Sequence, residues 1–265
     1  MLTLSLGPLT FGIPHLVLLV SLLLASLAGW LSGRRYGKNP ERQLFRLLLL
    51  ALLVARLAFV IAYTDDFENI WQVLDIRDGG FMAGPGILAA LLAGAWMMWR
   101  ERSARAPLAT AMAVGLGSWL LMSFAGYSLE RGTRLPDVTL LDSSGTPVAL
   151  ADFAGKPMVI NLWATWCPPC RREMPVLANA QAERDDLVFL FVNQGEGVGE
   201  VERFLQVQGL TLRNSLFDSS GQLGRAVGSQ ALPTTLFYDA EGRQLGSHLG
   251  ELSSASLSKA LEGLQ

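Results

Sequence analysis

The side chains best suited to chemistry in this sequence are its two cysteines, Cys167 and Cys170, in the order Cys-Pro-Pro-Cys. They follow an apolar run, residues 158–162, that predicts a buried strand, and proline suits the first turn of a helix because its missing N–H costs nothing there. The Cys167 sulfur should therefore lie at a helix N-terminus, where unpaired N–H groups and the helix dipole stabilise a thiolate. Thiolates attack disulfides, so the pattern predicts dithiol–disulfide exchange in which Cys167 attacks and the more buried Cys170 resolves.

A zinc site and a purely structural disulfide are the two other uses of such a pair. Zinc would need two more ligands, and the two histidines, His15 and His248, lie far apart in segments of different character. A disulfide that closes so short a loop stabilises a fold only weakly. The strand-then-helix context favours redox chemistry, for which we expect neither a metal ion nor an organic cofactor.

Composition divides the chain into two domains. Hydrophobic residues make up 51% of the sequence, and the long apolar runs are confined to residues 1–127. Residues 128–134 form a short polar linker, and residues 135–265 have the composition of an ordinary globular domain. The net charge of −2 and the absence of a basic stripe argue against nucleic acid as a partner.

Four segments have about the 20 mostly apolar residues that a membrane span requires: residues 11–31, 44–63, 81–99 and 107–127. The loops after the first and third segments carry arginine and lysine, whereas the loop after the second is acidic. Positive loops stay in the cytoplasm, so both termini and the C-terminal domain should face outward from the cytoplasmic membrane, into the periplasm of a Gram-negative cell. Disulfide chemistry belongs in that compartment.

Arg56 lies inside the second predicted span, where a charge costs about 2.5–3.5 kcal/mol. A contact with lipid phosphate or with a substrate would explain it. Burial between helices, or a side chain that extends toward Asp65 or Asp66, would explain it equally well.

The surrounding motif, Ala55-Arg56-Leu57 with Ile61-Ala62-Tyr63, an acidic loop and Asp78-Gly79-Gly80-Phe81, resembles the bacterial prolipoprotein diacylglyceryl transferases over residues 44–99. That family has His-Gly-Gly after the glycine pair, where this chain reads Met82-Ala83-Gly84-Pro85-Gly86. The resemblance implies a related helical bundle, with lipid transfer as an alternative function.

The C-terminal domain has the predicted order β-hairpin, βαβ, further α/β units, β-hairpin and helix, which is that of a thioredoxin fold. It resembles the membrane-tethered thioredoxin-like proteins of the TlpA/ResA type over residues 135–265. The stretches that carry this resemblance are Leu135-Pro136-Asp137, Phe153-Ala154-Gly155-Lys156-Pro157, residues 161–175 around the cysteines, and Leu232-Pro233-Thr234-Thr235.

The resemblance implies roles for residues near the cysteines. Pro233 would be a cis-proline that faces the disulfide, and the backbone at Leu232 would pair with an extended substrate strand. Trp166 would shield the cysteines and shape the docking surface, beside Pro169 and Thr234. Glu173 would be a carboxylate that assists proton transfer at Cys170, although a solvated glutamate on the helix surface remains open.

The predicted architecture is a four-span α-helical membrane bundle followed by an α/β thioredoxin-like domain. The resemblance favours an extracytoplasmic reductant that acts on apocytochromes or other exported disulfide-containing proteins and is recharged by a separate membrane thiol reductase. Membrane lipids surround the bundle. The alternatives are a lipid transferase with a redox appendage, a dithiol copper chaperone and a structural anchor. The client, the direction of electron flow and the oligomeric state are not encoded in any recognisable pattern.

Overall fold

A computed structural model describes residues 3–6, 9–130, 133–229 and 231–264 of the chain. The chain divides into two compact units: Met1–Ile13, Asp75–Gly79 and Tyr127–Gln265 form the first, and Pro14–Leu74 with Gly80–Gly126 forms the second. The division into residues 1–127, 128–134 and 135–265 stays a prediction. Residues 131 and 132 of the expected linker, together with Gln265, lie outside the described residues.

The N-terminal half is mostly helical. A short antiparallel pair, β1 (Thr3–Leu6) and β2 (Leu9–Gly12), precedes the first long helix. The helices of this half, within the described residues, are α1 (Ile13–Tyr36), α2 (Glu41–Ala62), α3 (Ile70–Leu74), α4 (Ala83–Arg100) and α5 (Arg105–Glu130). The first span is predicted at approximately residues 11–31, and α1 begins at Ile13, because Phe11 pairs with Leu4 in the β1–β2 hairpin. A local signal marks the boundary, because Gly12 interrupts the apolar run and Pro14 stands in the first turn of α1.

Three helices among the described residues are long and apolar enough to cross a membrane: Ile13–Tyr36, Glu41–Ala62 and Arg102–Ser128. They cover the first, second and fourth predicted spans. The third predicted span corresponds to α4, whose 18 residues give a length of about 27 Å at 1.5 Å per residue. A bilayer core is about 30 Å thick, so α4 is marginal by length, and the crossing of the membrane by this third predicted span stays a prediction.

Small residues bring the helices of the second unit close together. A Cβ on Gly86 of α4 would lie 2.6 Å from the Ala51 carbonyl oxygen of α2. A Cβ on Gly115 of α5 would lie 2.8 Å from the Cβ of Ala25 on α1. Close backbone approach of this kind is how helices associate in lipid, where neighbouring helices gain little from the hydrophobic effect.

The C-terminal half is an α/β domain around one sheet. Its strands within the described residues have the spatial order β4-β3-β7-β6-β5-β8-β9. They are β3 (Thr139–Leu141), β4 (Pro147–Ala149), β5 (Met158–Trp163), β6 (Val188–Gln194), β7 (Ser215–Asp218), β8 (Thr234–Tyr238) and β9 (Gln244–Leu249). The helices are α6 (Pro168–Glu183), α7 (Val198–Gln208), α8 (Gln222–Val227) and α9 (Ser254–Glu262). This is the predicted thioredoxin-like order of elements.

The central strand β5 positions the cysteine motif. It pairs with β6 in parallel and with β8 antiparallel, and all six of its residues are buried. Val159 and Trp163 pack in one apolar cluster with α6, whereas Ile160 packs in a second cluster on the other face. Since side chains alternate along a strand, Asn161 lies on the α6 face, between Val159 and Trp163.

Candidate functional site

The cysteine pair lies where β5 ends and α6 begins. Cys167 is the N-cap residue of α6, its Sγ accepts a hydrogen bond from the Cys170 backbone N–H at 3.3 Å, and Pro168 occupies the first helical position. The two cysteines form a disulfide bond. Cys167 is 3% exposed and Cys170 is fully buried, whereas the neighbouring Trp166 is 67% exposed. On reduction, the helix N-terminus would favour a thiolate at Cys167, the more accessible sulfur.

Glu173 lies one helical turn beyond Cys170 and is completely buried. Its Oε1 accepts from Asn161 Nδ2 at 2.7 Å, and its Oε2 accepts from the Leu252 backbone N–H at 3.0 Å. Burial raises the pKa of Glu173 to about 8, while the two hydrogen bonds oppose the rise and the charge of Glu251 adds to it. A solvated glutamate on the helix surface, the open alternative, is therefore wrong. This carboxyl group can take up or release a proton near neutral pH.

Asn161 connects the central strand to this carboxylate. Its Nδ2 donates to Glu173 and also to Thr235 Oγ1 on β8, at 3.0 Å. The Asn161 Oδ1 atom is buried, and among the described residues it has no hydrogen-bond partner. The amide carries no titratable proton, whereas the Glu173 carboxyl group that it contacts does.

The peptide bond between Leu232 and Pro233 is cis, as the resemblance implied. Pro233 is buried, and its carbonyl oxygen accepts from the Gly250 backbone N–H at 3.0 Å. Thr234 begins β8, and its hydroxyl donates to the Ala231 carbonyl oxygen at 2.7 Å. Leu232 is half-buried and packs against both apolar clusters. Pro169, in the first turn of α6, is also half-buried.

Glu196 is a buried acidic residue that the sequence analysis missed. Its Oε2 accepts from the Thr165 backbone N–H at 2.7 Å and from Asn193 Nδ2 at 2.6 Å, and its Oε1 accepts from the Thr165 hydroxyl. Glu196 therefore holds the loop that leads from β5 through Trp166 to Cys167. A signal existed: β5 and β6 are parallel and adjacent, so the polar residues that follow both strands meet at the same edge of the sheet.

Two arginines that follow Cys170, Arg171 and Arg172, are exposed on α6. Arg172 donates three hydrogen bonds to the carboxylate of Glu251, which follows β9. Arg171 lies over the ring of Phe204, 5.6 Å from its centroid. Within the described residues, no group of three or more histidine, cysteine, aspartate and glutamate side chains is arranged to hold a metal ion.

Arg56, the other predicted site residue, lies in the second unit and is 8% exposed. Its guanidinium donates to the Gly80 carbonyl oxygen at 2.9 Å and to the Val73 carbonyl oxygen at 3.0 Å. The rings of Phe59, Phe67 and Phe81 surround it. These contacts match the alternative of burial between helices, and the lipid contact stays a prediction.

Both halves of the chain are similar in sequence to known protein families. Residues 130–262 match the sequence model of the Redoxin family, and residues 4–129 match that of prolipoprotein diacylglyceryl transferase. The thiol-disulfide oxidoreductase ResA of Geobacillus thermodenitrificans is 33% identical over 159 residues, 55% of this chain and 91% of that protein. ResA of Bacillus subtilis is 31% identical over 137 residues, 51% of this chain and 76% of that protein.

Among solved structures, a thiol:disulfide interchange protein of the thioredoxin family from Chlorobium tepidum is similar with a TM-score of 0.45 and 27% identity. The match covers 51% of this chain and 97% of that one. The family model spans half of the chain, and the Geobacillus relative is matched over nearly its whole length. The chain therefore belongs to the Redoxin family and is a thiol-disulfide oxidoreductase of the ResA type, fused to a helical region similar to prolipoprotein diacylglyceryl transferase.

Proposed function

We propose that this protein is a membrane-anchored reductant that opens disulfides of exported proteins, apocytochromes among them, outside the cytoplasm. The observation that carries the proposal is the Cys167–Cys170 disulfide at the N-terminus of α6, with the buried carboxyl group of Glu173 one turn away. A dithiol with a nearby proton acceptor can complete both steps of disulfide exchange without a metal ion or an organic cofactor.

In the first step, the Cys167 thiolate attacks one sulfur of the client disulfide. A mixed disulfide forms between Cys167 and the client, the client S–S bond breaks, and the other client sulfur leaves as a thiolate that takes a proton from solvent. The helix N-terminus lowers the free energy of the attacking thiolate, and Trp166 beside it offers an exposed apolar surface for the client.

In the second step, Glu173 accepts the proton of the Cys170 thiol. The Cys170 thiolate attacks Cys167 Sγ, the bond from Cys167 to the client breaks, and the second client sulfur leaves as a thiolate. The client has then gained two electrons, and the protein holds the Cys167–Cys170 disulfide. Asn161 cannot serve as the proton acceptor in this step because its amide is not basic.

The client would be held as an extended segment. Its backbone would pair with the chain at Leu232, beside the cis-proline Pro233, in the manner of an added β-strand. Trp166, Pro169 and Thr234 would line the same surface. Main-chain pairing depends little on the side chains of the client, which suits an enzyme with several exported clients.

The helical half would anchor the enzyme with four spans, α4 being the third in chain order, and with both termini outside the cytoplasm. The basic loops after α1 and α4 support that orientation under the positive-inside rule. The oxidised Cys167–Cys170 pair must be reduced again after each turnover, and a separate thiol reductase of the same membrane would supply the electrons. Membrane lipids would be the other partners of the helices.

Trapping of the mixed disulfide tests this function. Full-length Cys170→Ser protein in detergent micelles, mixed with an oxidised client peptide, should accumulate a covalent complex through Cys167 that dithiothreitol releases. Cys167→Ser protein is the matched control and should form none. Equal trapping by the two variants, or trapping by neither, would overturn the assigned roles.

The match of residues 4–129 supports a second candidate, lipid transfer to a prolipoprotein by the helical half. The test is incubation of the full-length protein with labelled glycerophospholipid and a prolipoprotein-derived peptide. Lipid transfer that is lost in Arg56→Lys protein, with disulfide exchange unchanged, would support this activity. Absence of transfer by the wild-type protein would dismiss it.

A further inference from the structure

The turn between β9 and α9, residues 250–253, supplies backbone contacts to the redox site. The Gly250 N–H donates to the carbonyl oxygen of the cis-proline Pro233, and the Leu252 N–H donates to Glu173 Oε2, both at 3.0 Å. The second contact favours the ionised form of Glu173, because it donates a hydrogen bond to the carboxylate. Whatever fixes turn 250–253 therefore acts on the proton acceptor.

Asp78 contacts the end of this turn and belongs to the same compact unit, within Asp75–Gly79. It is 5% exposed, and its Oδ2 accepts from the Ser253 hydroxyl at 2.8 Å. Ser253 is the N-cap of α9, where its Oγ accepts from the Ser256 N–H at 3.2 Å. The single Ser253 hydroxyl thus binds Asp78 through its proton and caps α9 through its oxygen.

Two further close approaches lie beside the contact between Asp78 and Ser253. A Cβ on Gly79 would lie 3.4 Å from Cε1 of His248 on β9, and Gly79 has a φ of +63°, which favours glycine. A Cβ on Gly250 would lie 3.9 Å from the Arg77 carbonyl oxygen. Asp75–Gly79 therefore follows the outer side of turn 250–253 over several residues.

We propose that Asp78, acting through Ser253, is a positioning residue of the redox site: it holds turn 250–253 so that the Leu252 N–H stays on the Glu173 carboxylate. The inference rests on the proposed role of Glu173 as the acceptor of the Cys170 proton. It assigns a redox function to the Asp78-Gly79 motif, which in sequence resembles part of a lipid transferase and not of a thioredoxin-like protein.

The expected effect has a definite sign. If turn 250–253 loosens, the Leu252 N–H binds the carboxylate less, the ionised form of Glu173 loses stabilisation, and the pKa of Glu173 rises further. Less carboxylate is then present at pH 7, and the second step of disulfide exchange slows there. At pH values well above the pKa, the wild-type rate should return.

Other charged groups face these residues. Glu251 faces Glu173 from the turn, and His248 on β9 and Lys259 on α9 face Asp78. Burial lowers the pKa of His248 from its ordinary value of 6.5, so this histidine titrates below the range of Glu173. Burial likewise lowers the pKa of Lys259. A titration midpoint near pH 8 can therefore be assigned to Glu173 and not to His248.

The test uses reduced full-length protein in detergent micelles and the aromatic disulfide 5,5′-dithiobis(2-nitrobenzoate). Release of the first thiolate reports attack by Cys167, and release of the second reports resolution by Cys170. We expect Asp78→Ala and Ser253→Ala to shift the pH midpoint of the second phase upward and to slow it about threefold at pH 7, consistent with a weakened hydrogen bond to a charged group. The first phase should not change.

Matched variants separate positioning from general damage. Ser253→Thr keeps the hydroxyl and should have the wild-type midpoint. Asp75→Ala removes a carboxylate of the same segment that binds Arg77 and not Ser253, so it should also leave the midpoint unchanged. The double variant Asp78→Ala/Ser253→Ala should shift the midpoint no further than the larger single shift. Both changes remove the same hydrogen bond, the one between Asp78 and Ser253. Additive shifts, or an equal shift in Asp75→Ala, would overturn the proposal.

The same experiment separates this inference from the proposed function. If wild-type protein shows no second phase, the proposed function fails. If Glu173→Gln leaves the pH dependence of that phase unchanged, the role of Glu173 as proton acceptor fails, and the role of Asp78 fails with it. If Glu173→Gln removes the midpoint near 8 while Asp78→Ala and Ser253→Ala match the wild type, only the role of Asp78 fails.

Discussion

The two compact units each bury a charged side chain, and they treat it in opposite ways. Glu173, in the redox unit, receives two N–H donors, and burial outweighs them, so that its pKa rises to about 8. Arg56, in the helical unit, is surrounded by backbone carbonyl oxygens and aromatic rings. The carboxylate is under-stabilised and therefore ready to bind a proton, whereas the guanidinium donates hydrogen bonds to the carbonyl oxygens of Gly80 and Val73. Burial of a charge thus marks proton-transfer chemistry only when the partners leave the charge poorly stabilised.

The largest expected effect concerns the under-stabilised charge. In Glu173→Gln protein the second phase of disulfide exchange should slow on the order of 100-fold at pH 8.5, since general-base catalysis contributes about 10²–10⁴-fold. In the wild type the rate of this phase should rise with pH through about 8, because only the ionised form of Glu173 accepts the Cys170 proton. In the variant the rise should move to the higher pH at which the Cys170 thiol ionises without a neighbouring base. Stopped-flow kinetics between pH 6 and pH 9.5 measure both.

Attack by Cys167 is the internal control, because Glu173 should not affect the first phase. A second phase in Glu173→Gln protein that keeps the wild-type rate and midpoint would show that another group, such as water, takes the proton. The buried Glu173 would then be a structural charge like Arg56, and the contrast between the two units would disappear.

The next effect concerns the well-stabilised charge. Arg56→Met should reduce the free energy of unfolding of the helical unit by about 2–4 kcal/mol, because the buried carbonyl oxygens of Gly80 and Val73 lose their donor. Disulfide exchange should keep its wild-type rate. Thermal unfolding in detergent measures the loss, with Arg46→Met, on the same helix, as a control.

The opposite result would show that Arg56 has a functional role and not a structural one. If Arg56→Met unfolds like the wild type but loses binding of anionic lipid, the predicted lipid contact is correct and the carbonyl contacts are not essential. Arg56→Lys keeps the charge but has one nitrogen in place of the guanidinium fork, so it should retain only part of the stability.

The smallest expected effect concerns the loop before the cysteines. Thr165→Val removes the hydroxyl that binds Glu196, and it should raise KM for a protein client about two- to fivefold by loosening the loop that carries Trp166. The reduction potential should stay constant. Steady-state reduction of an oxidised client measures KM, and Thr165→Ser, which keeps the hydroxyl, should behave as the wild type. A changed potential with an unchanged KM would contradict this positioning role.

Local sequence signals predicted the cysteine site well. The residues from β5 through α6 are contiguous, and helix α6 begins at Pro168, as the proline signal indicated. The cis bond at Pro233 followed from resemblance, since most X–Pro bonds are trans and no local feature distinguishes this one.

Contacts between segments that are distant along the chain could not be predicted from the sequence. The burial of Glu173 depends on turn 250–253, which is about 80 residues away along the chain, so the spacing from Cys170 left a solvated position open. The contact of Asp78 with Ser253 joins residues 175 apart. The start of α1 at Ile13 had a local signal that was missed, because Pro14 stands in the first turn of the helix.

The reduction potential of the Cys167–Cys170 couple in the full-length protein tests the central claim most directly. Equilibration with dithiothreitol buffers, with Cys167→Ser protein as the blank, would measure it. Our account predicts a value near or below the ~−270 mV of thioredoxin, as a reductant of exported disulfides requires. A value near the ~−120 mV of a strong oxidant would contradict it and make the protein a disulfide donor.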